Sequence, residues 1–202
     1  MDYYLIGFFP KKRVTRSNWK SISDQNTDAN FPAPYPVEQL CSVSNCIVDG
    51  LEVFEYQDIS MNSFNQYGGF NQLNIAIDII AKDGADAFDL YGFALPEFIF
   101  QDGLLQPEEL GCVEPDDLGE DCPNLVKLGY DVVEIATCSF MCSPLTCNSE
   151  AWRNQNLVNQ YCLIEHEADA IKLATEFSIT KPEPGPYIIV EIWKYAGPKA
   201  AA

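Results

Sequence analysis

The side chains best suited to chemistry in this chain are eight cysteines and a single histidine. Five of these groups lie near one another toward the C-terminal end, namely Cys138, Cys142, Cys147, Cys162 and His166. A tetrahedral zinc site takes four thiolate or imidazole ligands, usually with closely spaced pairs. Four of these five groups could therefore form a structural zinc site. Because the chain contains no Cys-x2-Cys pair, buried thiols that act as small apolar side chains are the favoured alternative.

Nucleophilic catalysis by a thiol is a second chemistry to consider, and it requires a base within hydrogen-bonding distance. His166, the only histidine, stands between Glu165 and Glu167 at the expected start of a helix. Any Cys–His pair would have to use this one histidine, which is expected to face solvent or lie near the helix cap, so Cys–His catalysis is disfavoured. The chain also lacks a phosphate-binding glycine loop and a G-x-S-x-G motif. Common NTPases and α/β-hydrolases are therefore disfavoured, and an enzyme of unrecognised type is kept as an alternative.

Charge is distributed very unevenly along the sequence. There are 30 acidic and 12 basic residues, a formal net charge of −18. Between residues 21 and 126 the only basic residue is Lys82, against twenty acidic ones. Such a balance disfavours nucleic acid and anionic membranes as ligands. It indicates either a solvated surface that keeps the protein soluble or a surface that binds a basic protein partner.

The acidic segment between Gln101 and Pro123 is the candidate partner-binding surface, because it has little periodicity and is expected to be exposed. The carboxylates predicted to contact a partner are Glu108, Glu109, Glu114, Asp116, Asp117, Glu120 and Asp121. They lack the spacing of an EF-hand loop, so a dedicated calcium site is not expected. The basic cluster from Lys11 to Lys20 is expected to pair with the protein's own carboxylates rather than with nucleic acid. The chain is therefore predicted to be a non-enzymatic, immunity- or inhibitor-like binding module, with a zinc protein as the alternative.

Three short strings in the last third of the chain carry a resemblance. They run from Cys142 to Asn148 (CSPLTCN), from Asn159 to Leu163 (NQYCL) and from Glu183 to Tyr187 (EPGPY). Over residues 130–193 the chain resembles an uncharacterised group of bacterial proteins. The resemblance implies a bacterial, cytosolic origin and a defined structure for the Cys142–Asn148 loop. It implies no catalytic residue, and the acidic segment lies outside it.

The predicted elements follow the order β-α-β-β-α-β. The four strands are expected at residues 3–9, 88–95, 131–137 and 187–193, and the two helices at 72–82 and 167–177. This order predicts an α+β fold with a ferredoxin-like sheet, two helices on one face and long loop insertions. A short helix is also expected at 124–128, a strand or hairpin at 46–56, and irregular structure over 138–160.

The length is compatible with a single domain over residues 1–195, followed by a flexible tail at 196–202. The N-terminal sequence lacks the basic region and long apolar segment of a secretory signal, so a cytoplasmic location is predicted. Thiols remain reduced in that compartment. No apolar run is long enough for a membrane span. No cofactor is predicted apart from the possible zinc ion, and the oligomeric state is left open.

Overall fold

The fold is described from a computed structural model of the chain. The structure describes residues 2–18, 37–44, 48–50, 63–64, 69–83, 88–97, 124–136, 139–140, 142–147, 156–180 and 186–197. Two compact units are present. The first comprises Met1–Lys12, Gly50–Lys127 and Glu191–Ala202, and the second Arg13–Asp49 and Leu128–Val190. The expectation of a single domain stays a prediction.

Strands predominate over helices in the described ranges. The strands are Tyr3–Lys12 (β1), Val14–Thr15 (β2), Gln39–Leu40 (β3), Phe88–Pro96 (β4), Leu125–Ala136 (β5), Ser139–Phe140 (β6) and Tyr187–Tyr195 (β7). The helices are Leu73–Asp83 (α1), Pro144–Cys147 (α2) and Glu167–Thr180 (α3). Five strands form a sheet in the order β1-β4-β7-β5-β6, and β2 pairs with β3. The predicted α+β class is confirmed.

The ferredoxin-like order is not confirmed. In a split βαβ arrangement, the two strands joined by a helix run parallel with another strand between them. Here β1 and β4, the long strands on either side of α1, are direct neighbours and run antiparallel. The last long strand, β7, then lies between β4 and β5 in the sheet.

The first unit is built on the pairing of β1 with β4. Phe9 lies opposite Tyr91 and Lys11 opposite Asp89, after a register shift between Leu5 and Gly7. The buried core of this unit is formed from β1, β4, α1 and Phe70, and it contains Leu5, Phe8, Phe70, Ala76, Ile79, Leu90 and Ala94. The helical spacing of apolar residues in α1 thus places Ala76 and Ile79 in this core, as amphipathic periodicity predicts.

In the second unit, α3 packs through one apolar face. Its buried residues are Ala170, Leu173, Ala174 and Phe177. The Phe177 ring packs against Tyr187 with their centroids 5.5 Å apart. Glu167 and Asp169 lie in the first turn, where carboxylates interact favourably with the helix dipole. The predicted helix is confirmed and continues to Thr180.

Other local predictions have mixed outcomes. The short helix expected at 124–128 is wrong, because β5 begins at Leu125 and Ala196 donates its N–H to the carbonyl of Asn124 at 2.8 Å. A strand or hairpin was expected at 46–56. Of these residues, the structure describes 48–50, and the others lie outside the described residues. Gly50 bridges Lys11 of β1. No helix in the described ranges is long and apolar enough to cross a membrane.

Candidate functional site

A buried carboxylate lies at the centre of the second unit. Asp131 belongs to β5 and is 0% exposed. The hydroxyls of Ser42 and Ser143 each donate to it at 2.6 Å, one to each carboxylate oxygen. The backbone N–H of Val43 donates at 3.1 Å to the same oxygen as Ser42. One side chain thereby holds two segments that are far from it in sequence.

Opposing effects act on the protonation of this carboxyl group. Burial raises the pKa of Asp131, because a charged carboxylate loses its hydration in the interior. The hydrogen bonds from Ser143 and Ser42, followed by those from the backbone of Val43 and Val132, lower it. Burial is the larger effect, so the pKa remains above the usual value for aspartate.

The two segments bonded to Asp131 are themselves ordered by local hydrogen bonds. In the first, the N–H of Ser44 donates to the Ser42 hydroxyl oxygen at 3.1 Å. In the second, Ser143 directly precedes α2, and its carbonyl accepts from the Thr146 hydroxyl at 3.2 Å. Proline at the first helical position, here Pro144, is favoured because it has no N–H to leave unpaired. The irregular structure expected around this segment therefore includes a short helix.

Two buried cysteines lie in the same unit as Asp131. Cys162 is 0% exposed and Cys41 is 1% exposed. The Cys162 thiol faces the carbonyl of Leu145 at 3.7 Å. Burial raises the pKa of Cys162, and the negative charges of Asp131 and Cys41 raise it further. A thiol in this state is a poor nucleophile at neutral pH, because the reactive species is the thiolate.

This arrangement suits a structural role better than catalysis. A general acid or base must come within hydrogen-bonding distance of its substrate. Asp131 has no exposed surface, and both of its carboxylate oxygens accept hydrogen bonds from serine hydroxyls. In the part of the chain that is described, Asp131 therefore acts as a tether that joins β5 to the residues after β3 and to the residues before α2.

The residues proposed as zinc ligands are only partly placed by the structure. Cys138 and the side chain of Cys147 lie outside the described residues. Cys142 is half-buried, Cys162 is buried and His166 is exposed. The carbonyl of His166 accepts the first helical hydrogen bonds of α3. Among the described residues, no three His, Cys, Asp or Glu side chains come together as metal ligands. The zinc site stays a prediction.

All seven carboxylates of the candidate partner-binding surface fall within residues 101–123, outside the described residues. Their role as a partner-binding surface stays a prediction.

The first unit contains two carboxylates that are paired with lysines. Asp89 is buried and lies 2.9 Å from the ammonium of Lys194. It also accepts a hydrogen bond from the Tyr91 hydroxyl at 3.2 Å. Glu191 forms an ion pair with Lys127. These lysines are paired with carboxylates of neighbouring strands.

Sequence reasoning did not identify Asp131 or Ser42 as site residues, and it noted Ser143 only as part of the CSPLTCN string. A single aspartate at the start of an apolar strand segment gives no signal of burial. Comparison of the chain with family models, with curated proteins and with solved structures finds no match.

Proposed function

We propose that this protein is a non-enzymatic module that binds a basic protein partner through the acidic segment at residues 101–123. The observation that carries the proposal is the charge distribution. The net charge is −18, and residues 21–126 contain twenty acidic residues but only one basic residue, Lys82. A stretch of this kind repels itself at neutral pH unless positive charge meets it.

The ion pairs of the first unit engage one carboxylate of this stretch, Asp89, and one outside it, Glu191. Lys194 pairs with Asp89, and Lys127 pairs with Glu191. Each pair sums to zero charge, so the full excess of 18 negative charges must be carried by the other side chains. These two lysines are therefore engaged by carboxylates of the first unit, and the net charge of −18 already includes them.

The buried position of Asp131 supports the non-enzymatic part of the proposal. Asp131, whose pKa is raised by burial, is closed to solvent and bonded to Ser42 and Ser143. Its geometry serves the fold of the second unit. A cytoplasmic location and a partner other than nucleic acid belong to the same proposal, and the acidic composition disfavours contacts with phosphates.

Salt dependence provides the first test. The protein is immobilised, a partner is captured from cells of the native host, and its association is then measured by surface plasmon resonance. Between about 0.1 M and about 1 M salt, the Debye length falls from about 10 Å to about 3 Å. We expect the association rate to fall by at least roughly tenfold over this range, because electrostatic steering raises association rates by about 10 to 1,000-fold.

Charge-neutralising variants provide the second test. Glu108, Glu109, Asp116 and Asp117 are changed together to Gln or Asn. The matched control neutralises four exposed carboxylates elsewhere, Asp2, Asp78, Glu165 and Glu176. We expect the first variant to slow association roughly tenfold and the control to slow it much less. An unchanged rate in the first variant, or equal losses in both, would exclude residues 101–123 as the contact.

A further inference from the structure

We propose that Cys41 and Cys162 form a disulfide bond within the second unit when the protein meets a small-molecule disulfide such as oxidised glutathione. In the structure both are buried and neither is in a disulfide. The cross-link would join the segment after β3 to the turn that precedes α3. It is independent of the proposed binding function.

Backbone hydrogen bonding places the two cysteines side by side. The N–H of Cys41 donates to the carbonyl of Tyr161 at 3.0 Å, and Tyr161 directly precedes Cys162. Standard peptide dimensions then limit the distance between the Cα atoms of Cys41 and Cys162 to about 7 Å, and a bent hydrogen bond makes it shorter. Disulfides usually span Cα atoms that are roughly 4.4–6.8 Å apart.

The turn at Cys162 is held in an unusual conformation. Cys162 has a φ of 61°, the only positive φ at a non-glycine residue within the described ranges. Left-handed backbone is routine only for glycine and, less often, for asparagine or aspartate. The side-chain oxygen of Asn159 stabilises this turn by accepting from the N–H groups of Tyr161 and Leu163 at 2.9 and 3.3 Å. The strained residue is therefore fixed with its thiol in the interior.

The electrostatic surroundings of the Cys162 thiol include Cys41. The charge of Cys41 contributes to the raised pKa of Cys162, together with burial and the charge of Asp131. A disulfide carries no charge, so the cross-linked form avoids the cost of burying a thiolate. The same raised pKa predicts slow oxidation in the folded protein, because thiolate attack starts the exchange.

The reaction balances as two successive exchanges. One cysteine loses its proton to solvent, and its thiolate attacks oxidised glutathione. A mixed disulfide forms and one glutathione thiolate leaves. The second cysteine then loses its proton and attacks the protein sulfur of the mixed disulfide, which releases the second glutathione. Cys41 and Cys162 together lose two electrons and two protons, and one oxidised glutathione becomes two reduced molecules.

The experiment treats the full chain with oxidised glutathione, blocks remaining thiols with an alkylating reagent, and maps peptides by mass spectrometry without reduction. We expect a peptide containing Cys41 linked to one containing Cys162. The thermal midpoint should rise by roughly 5–15 °C and return after reduction, because a cross-link over a long loop restricts the unfolded chain.

Two variants complete the test. Cys142→Ser changes a half-buried cysteine of the same unit and should leave the cross-link and the midpoint shift unchanged. Cys41→Ser should lose both. Mapping of the unaltered protein needs no variant, so a folding defect in Cys41→Ser would not obscure the result. Recovery of Cys41 and Cys162 only as reduced thiols, as separate glutathione adducts or in links to other cysteines would overturn the proposal.

Discussion

Replacement of Asp131 by asparagine gives the sharpest prediction about the second unit. The carboxylate accepts from Ser42 and Ser143 at 2.6 Å and from the Val43 N–H at 3.1 Å. Asparagine keeps the shape and one acceptor oxygen, whereas alanine leaves all of these donors without their acceptor. An unsatisfied buried donor costs about 1–3 kcal/mol. Since hydroxyls can reorient, we expect Asp131→Ala to cost about 3–5 kcal/mol and Asp131→Asn about 1–3 kcal/mol.

The pH dependence of this effect has a defined sign. The pKa of Asp131 is higher in the folded protein than its usual value, so the folded state binds the proton more tightly than the unfolded chain. The resulting stabilisation is fully present below the unfolded pKa and is lost as the pH rises toward the folded pKa. Between the two pKa values, this group lowers the free energy of unfolding by about 1.4 kcal/mol per pH unit.

Urea unfolding of the wild type and Asp131→Asn from pH 4 upward would measure this contribution. The difference in unfolding free energy between the two proteins should fall as the pH rises, because the variant lacks the titrating group. Asp78→Asn, at an exposed site in α1, should change stability by less than about 0.5 kcal/mol and keep the wild-type pH dependence. A difference that grows with pH would show that the serine hydrogen bonds outweigh burial and would refute the reasoning.

Two further substitutions test the turn and the close backbone contact of the second unit. Gly129 has a φ of +143°, and a Cβ atom there would lie 2.7 Å from the carbonyl oxygen of Ile164. In urea unfolding, Gly129→Ala should lower the free energy of unfolding by about 2–4 kcal/mol. The loss should be smaller for Gly197→Ala, because Gly197 has a positive φ but no atom near the position of a Cβ. Asn159→Ala removes a side chain that also donates to the Leu128 carbonyl at 2.7 Å. We expect the free energy of unfolding to fall by about 2–3 kcal/mol and a maleimide to alkylate the Cys162 thiol faster. An unchanged alkylation rate would contradict the role given to the turn.

The regular elements with strong local patterns were predictable from sequence. The helix α1 shows apolar residues at helical spacing, and β7 is apolar at nearly every position, so both were placed within a few residues. The start of β5 was not. Residues 124–128 contain Leu, Val and Lys, which are compatible with a helix, but pairing of Asn124 with Ala196 places them in the sheet. Tertiary pairing overrides local preference in this segment.

The tether at Asp131 could not be predicted for a different reason. Ser42 is 89 residues away from it and Ser143 is 12 residues away, so no periodic pattern links the three. An aspartate in a strand is normally read as facing solvent, because charged side chains are rarely buried without partners. Only the folded chain shows that its partners are serine hydroxyls. The proposed partner-binding surface, by contrast, was inferred from the distribution of charged residues, which can be counted in the sequence.

The distance along the chain between Ser42 and Asp131 has an evolutionary consequence. The acidic segment lies between these two anchor points, and each doubling of a loop's length costs only about 0.6 kcal/mol in closure entropy. A change in the length of the chain between the two anchor points would therefore alter the closure entropy of the serine–aspartate contact only slightly. Under the proposed function, related sequences are free to diverge in the length and charge of residues 101–123 while keeping the serine–aspartate anchor, so that the proposed partner changes without a new fold.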